Sequence, residues 1–309
     1  MTPFSITSER GVPSFTHPHE GQRLQNISDA VYIVNNLKSN LKRQKLSNRF
    51  DQDSEFDKEK DKVAFRQFES ASDHARDFYK EQHSKKTVAY NLKARHAFHS
   101  KVRAEMGIWE AIEKLITLID ESDPDTNLSQ IEHLLQSAEA ARRNGKLRWM
   151  QLVDLFHDLG KLLFYFDAEG QWDVVGDTSP VGCAYDERVC YGRDSFSENK
   201  VYVHATYDTI FGIYSPGCGL ENVMLSWGHD EYLYYIVKDQ STLPSEGLAM
   251  IRYHSLYPWH MSGVNRELMN DHDHKMICAV QAFNPYDLYS KSDEIPSIKE
   301  LKVRNSFST

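Results

Sequence analysis

The stretch WMQLVDLFHDLGK (Trp149–Lys161) decides the fold. Trp149, Leu152, Val153, Phe156 and Leu159 recur at three- and four-residue spacing, which predicts a helix with one apolar face. Gly160 is expected to stop it, as glycine does at helix C-termini. His157 and Asp158 sit side by side near that end. Adjacent helical residues point about 100° apart, so the two share no face, yet both reach one point if the helix end abuts it. Taken alone, the pair reads equally well as a capped helix end with a surface acid.

Working outward, similar stripes repeat. Ile131, Leu134, Leu135 and Ala138 predict a preceding helix, with His133 beside them. Earlier still, Ala104–Asp120 carries Ile108, Ile112, Leu115 and Ile119 on one face, and Phe68, Ala71, Ala75, Phe78 and Tyr79 form another stripe. Downstream, helices are expected at Leu225–Val237, Glu246–His254 and Val264–Phe283. Asn284-Pro285 is expected to open a last short helix, with Asn as cap and Pro at the first position. Between these runs, Gly, Pro, Asp and Tyr break every periodicity over 166–222. That predicts a long irregular segment with short strands, and such segments are usually functional. The fold class is therefore all-α, a helical bundle with an irregular insertion.

Three regions follow. Residues 1–62 read as an N-terminal extension. Its Ser-, Thr-, Pro- and Gly-rich start is expected to be disordered, and Ile27, Val31, Val34, Leu37 and Leu41 mark an amphipathic helix ahead of a charged linker. Residues 63–292 form the core and 293–309 a short tail.

Composition narrows the function. The net charge of −9 over 309 residues argues against nucleic acid as a partner, which needs a cationic footprint. No 18-residue apolar run is present, so no membrane span is expected. The start MTPFSITSERGVPSF has no apolar leader core. Cys183, Cys190, Cys218 and Cys278 form no C-x-x-C pair, which fits a reducing, cytoplasmic setting. The 14 histidines are more telling. His133, His157, His229 and His254 fall on four consecutive amphipathic helices, with at least one carboxylate. Packed helices bring such groups to one interior point, as in carboxylate-bridged two-metal bundles.

The FHDLGK segment (Phe156–Lys161), with His133 before it and histidines after it, resembles the HD-domain superfamily of helical metalloproteins. Longer strings resemble its myo-inositol oxygenase family, in a fungal-type version. They are Asp120–Arg143, Asp173–Cys183 (DVVGDTSPVGC), Gly212–Tyr234, Leu243–His260 and Phe283–Ser292 (FNPYDLYSKS). The resemblance implies two iron ions per subunit in a mixed-valent pair, held by His133, His157, Asp158, His229, His254 and Asp287, with Asp158 bridging. Imidazoles and carboxylates without thiolate suit iron, manganese or zinc; the resemblance selects iron. It also implies ring cleavage of myo-inositol by O2 to D-glucuronate. The implied catalytic residues are Lys161 and Asp158. The implied substrate contacts are Arg66, Asp120, Ser122, Asp123, Lys161, Gly176, Asp177, Ser255 and Lys291. The expected form is a monomer.

The chain departs from the family pattern at several places. Ser179 replaces an aromatic, Asp154 and Phe156 stand where small or aliphatic residues are usual, and the tail lacks an aromatic helix. Two alternatives remain at this point. One is an HD-type phosphohydrolase, which would want cations rather than Asp120, Asp123 and Asp177 around its metals. The other is a weakened or regulatory family member.

Overall fold

The computed structural model describes residues 56–296, apart from 69, 70, 72, 125–127 and 167. The expected helix through Ile27–Leu41, the disordered start, most of the charged linker and most of the tail lie outside the described residues.

Helix α1 (Asp73–Lys85) buries Ala75, Phe78 and Tyr79. It begins later than its stripe predicts, so Phe68 and Ala71 precede it. Phe68 still meets Tyr79 edge-on at 5.3 Å. Helix α2 (Val88–Ser100) has no counterpart in the sequence reading, because it has no apolar stripe: its one buried residue is Asn91. Thr87 caps it by accepting the Tyr90 N–H at 3.2 Å. Helix α3 (Ile108–Lys114) passes into a 3-10 turn, Leu115–Thr117. It is shorter than expected: Ile112 and Leu115 are buried, but Ile108 and Ile119 are exposed.

Two helices then build the centre. In α4 (Gln130–Arg143), Glu132 accepts from the Ser129 N–H at 2.9 Å, half of a capping box. Helix α5 (Arg148–Phe156) runs directly into a 3-10 segment, His157–Tyr165. Gly160 therefore does not stop the chain. Its role is close approach: a Cβ there would lie 2.0 Å from the His229 carbonyl oxygen. Ile131, Leu134, Leu135, Val153, Ala279 and Phe283 are the apolar core that joins these helices to α9.

Residues 166–222 hold short 3-10 turns and no strand among the described residues. The expected short strands reduce to one isolated antiparallel bridge, Pro180 to Leu225. Glycine and proline prevent a ladder from extending, and the segment is held by buried contacts such as Cys183, Leu220 and Leu225 instead.

Helices α6 (His229–Gln240), α7 (Ser245–Tyr253) and α8 (Tyr257–Ser262) follow. Helix α9 (Asp273–Tyr289) is a single helix that contains Pro285, so no separate short helix begins at Asn284. Phe283, Asn284, Tyr286, Asp287 and Leu288 are all buried. Their packing outweighs the missing proline N–H. No helix among the described residues is long and apolar enough to cross a membrane.

Candidate metal centre and substrate cavity

The ligand cluster is assembled from the ends of helices. His133 lies in the first turn of α4, His157 and Asp158 open the 3-10 segment, His229 is the first residue of α6, and His254 follows the last residue of α7. Asp287 comes from the last turn of α9. All six are buried.

Their orientation is set from behind. A carbonyl can only accept, so a ring nitrogen facing one must carry the proton. His157 Nδ1 donates to Asp154 O (3.0 Å), His229 Nδ1 to Val174 O (2.9 Å) and His254 Nδ1 to Ile251 O (3.0 Å). Each Nε2 lone pair therefore points inward, the arrangement metal-binding histidines use.

Two pockets result. In one, His133 and His157 Nε2 lie 3.1 and 3.2 Å from Asp287 Oδ1. In the other, His229 and His254 Nε2 stand 3.2 Å apart. Asp158 lies between them and divides its oxygens. Oδ2 faces His133 (3.6 Å) and His157 (3.7 Å), while Oδ1 faces His229 (3.4 Å) and His254 (3.5 Å).

The donor set fits metal ions. Asp158, Asp230 and Asp287 are three buried carboxylates, and among the described residues a single ammonium, Lys161, pairs with them, 2.8 Å from Asp158. Uncompensated buried charge is costly. The facing Nε2 atoms of His229 and His254 also need a cation or proton between them. Burial opposes that charge at His254, but Asp230 and Asp158 prevail and push it up to about 9. A metal ion would replace that proton.

Asp230 is an addition to the ligands expected from the sequence. Its Oδ1 lies 2.7 Å from His229 Nε2 and 3.3 Å from His254 Nε2, and Thr178 Oγ1 donates to its Oδ2 at 3.2 Å. A signal was present, since His229-Asp230 is a second His-Asp pair like His157-Asp158.

A cavity opens beside the cluster. All nine residues expected to contact substrate line it, together with five of the six expected ligands; His157 lies behind them. Lys161 Nζ reaches Asp120 at 2.7 Å and Gln130 at 2.9 Å. Burial opposes its charge, but Asp120 and Asp158 hold it protonated. Asp120 also accepts the Ser122 N–H at 2.9 Å. Lys291 pairs with Asp123 at 2.7 Å. Asp177 accepts from Arg66 at 2.6 Å and from the Tyr79 hydroxyl at 3.1 Å. Arg66 has a left-handed φ of 58° and its guanidinium lies 3.5 Å from the Tyr257 ring centroid. Gly176 turns at φ 86°, and a Cβ there would strike Gln82 and Phe78. Ser255 Oγ sits 3.3 Å from both His229 Nε2 and Asp230 Oδ1. Gln130 and Tyr257 carry no signal in the linear pattern, and Tyr79 reads there only as part of an apolar stripe; the fold brings all three to the cavity.

A model of the myo-inositol oxygenase family matches residues 72–305. The chain belongs to that family. It is 46% identical over 246 residues to the probable inositol oxygenase of Oryza sativa subsp. japonica, covering 77% of this chain and 80% of the relative. It is 41% identical over 248 residues to inositol oxygenase of Danio rerio (79% and 89%) and 42% identical over 247 residues to that of Rattus norvegicus (79% and 86%). Membership in the inositol oxygenase family makes the chain an oxygenase and places it apart from HD-type phosphohydrolases. The cavity lining agrees with that: Lys161, Lys291 and Arg66 are each paired with a carboxylate, Asp120, Asp123 and Asp177, so no surplus of cations awaits a phosphate.

Proposed function

We propose that this inositol oxygenase cleaves the ring of myo-inositol with O2, giving D-glucuronate and water, at two iron ions. The observation that carries the reading is the divided carboxylate of Asp158, which turns one oxygen to each pair of histidines beside a cavity rich in hydrogen-bonding groups. His133, His157 and Asp287 would hold one ion, His229 and His254 the other, with Asp158 shared. When bound, the iron pair supplies Lewis acidity and the redox capacity for O2.

The chain's own residues do the rest. A neutral polyol offers hydroxyls in fixed directions, and ionised carboxylates accept from them. Asp120, Asp123 and Asp177 play that part. Lys161 and Lys291 donate to substrate oxygens. Because Lys161 stays protonated, it acts as a donor near Asp158 and not as a base. Ser255 and the Gly176 backbone complete the contacts, while Arg66, Tyr79 and Tyr257 wall one side and exclude water.

The test is an assay of anaerobically iron-loaded protein with myo-inositol, cysteine and O2, reading glucuronate. Product is expected from the native chain, and His157→Ala is expected to lose both product and the metal pair. Glucuronate formation by His157→Ala would sink the ligand assignment.

A further inference from the structure

We propose that an ion network in which the buried Glu231 is held by Arg95 and the buried Arg252 positions the His229/His254 half of the metal site, so that this half can be loosened without the other. The inference rests on the two-metal reading above.

Glu231 is fully buried on α6, two residues beyond His229. Both of its oxygens are engaged. Oε1 accepts from Arg252 Nε at 2.5 Å and Oε2 from Arg95 Nη2 at 2.6 Å. Arg252 is buried on α7, two residues before His254. One carboxylate thus ties the helix that carries His229 to the helix that carries His254. Arg95 reaches in from α2, and its Nη2 also donates to Leu225 O at 2.6 Å. One turn earlier on α2, Asn91 Oδ1 accepts the Trp227 N–H at 2.5 Å. The chain segment that leads into His229 therefore hangs from α2.

Stability does not explain this network. Buried ion pairs are costly to desolvate, and well-packed apolar replacements are often neutral or stabilising. What a guanidinium fork adds is direction, because its donors are rigid and planar. None of the three residues lines the cavity. The His133/His157 half has no counterpart among the described residues; apolar side chains back it.

The experiment uses the full chain, reconstituted with iron and desalted. Iron per chain, thermal stability and the electron paramagnetic resonance signal are measured. The native protein is expected to keep two ions. Arg252→Met, which leaves Glu231 only Arg95 as a partner, is expected to lower the melting temperature but to stay folded and fall to about one ion, with the His229/His254 half binding about tenfold or more weakly. The spectrum of a coupled pair should give way to that of an isolated ion. Adding Asp287→Asn should remove the remaining ion, whereas adding His254→Ala should change nothing. Should Arg252→Met fail to fold, Arg95→Met carries the test, since Arg95 is partly exposed. Two ions held as tightly as in the native chain, or both lost together, would overturn the inference. A native chain that keeps fewer than two ions would instead sink the two-metal reading.

Discussion

The two halves of the metal centre face each other across Asp158 but are backed by different physics. Behind His133 and His157 lies hydrocarbon: Ile131, Leu134, Leu135, Val153 and Phe283, with Phe283 meeting His157 edge-on at 5.2 Å. The carboxyl of Asp154 there accepts from Ser137 at 2.9 Å, and burial pushes it well above the usual carboxylate range. Behind His229 and His254 lie Glu231, Arg95 and Arg252, with Lys86 nearby. Hydrocarbon positions a ligand through volume and shape, and every contact contributes a little. An ion network positions it through a few directed bonds, each of which matters singly.

The contrast can be tested by substitution. The largest effect is expected at Gly160→Ala, where the two halves touch. The added Cβ would overlap the His229 carbonyl oxygen, and backbone cannot yield cheaply. Stability should fall by about 4 kcal/mol or more, with loss of metal from the His229/His254 half; denaturant unfolding and metal analysis would show it. Next, Leu134→Ala should cost about 3 kcal/mol through the cavity it leaves, yet the folded protein should still hold two metals. If it holds one, shape does not buffer that half as argued.

A third test concerns charge. Burial lowers Lys86 to about 8, against the raising pull of Asp173, Asp230 and Asp177. Its folded value lies below the ordinary 10.5, so between those pH values the unfolded chain binds more protons and stability rises with pH. Lys86→Met should therefore stabilise the fold at pH 7 by roughly 2–3 kcal/mol. The advantage should disappear above about pH 10. Chemical denaturation at several pH values would reveal a flat difference if Lys86 were not held in that state. The smallest effect is expected at the cavity rim. Asp177→Asn should raise KM for myo-inositol about tenfold while kcat changes little, because it loses a substrate contact and loosens Arg66. A fall in kcat alone would move Asp177 from binding to chemistry.

Much of the centre was legible in the chain. His133, His157, His229 and His254 could be picked out because each lies next to an apolar stripe, and a stripe says which side of a helix faces inward. Asp287 could not be reached this way, since an acid near a proline reads as a helix start; the family resemblance alone pointed to it. Asp230 does not stand out in the sequence although it adjoins His229, because an acid in the first turn of a helix is ordinary. Helix α2 has no stripe to mark it, and the strands expected in 166–222 do not form among the described residues. Gly160 and Pro285 both read as boundaries in the sequence, and both lie inside continuous structure.

What the sequence determined by itself is the set of apolar stripes, and with them the all-α class, and the family strings that carry the activity. Those are local properties, decided by neighbours three and four residues apart. What only the tertiary structure decided is where the stripes meet. It divides the Asp158 oxygens between two histidine pairs, brings Gly160 against His229, and joins Arg95, Glu231 and Arg252 across a separation of more than 130 residues. A glycine that permits contact and a carboxylate that anchors two arginines have no local signature, because their partners are distant in the chain and near only after packing.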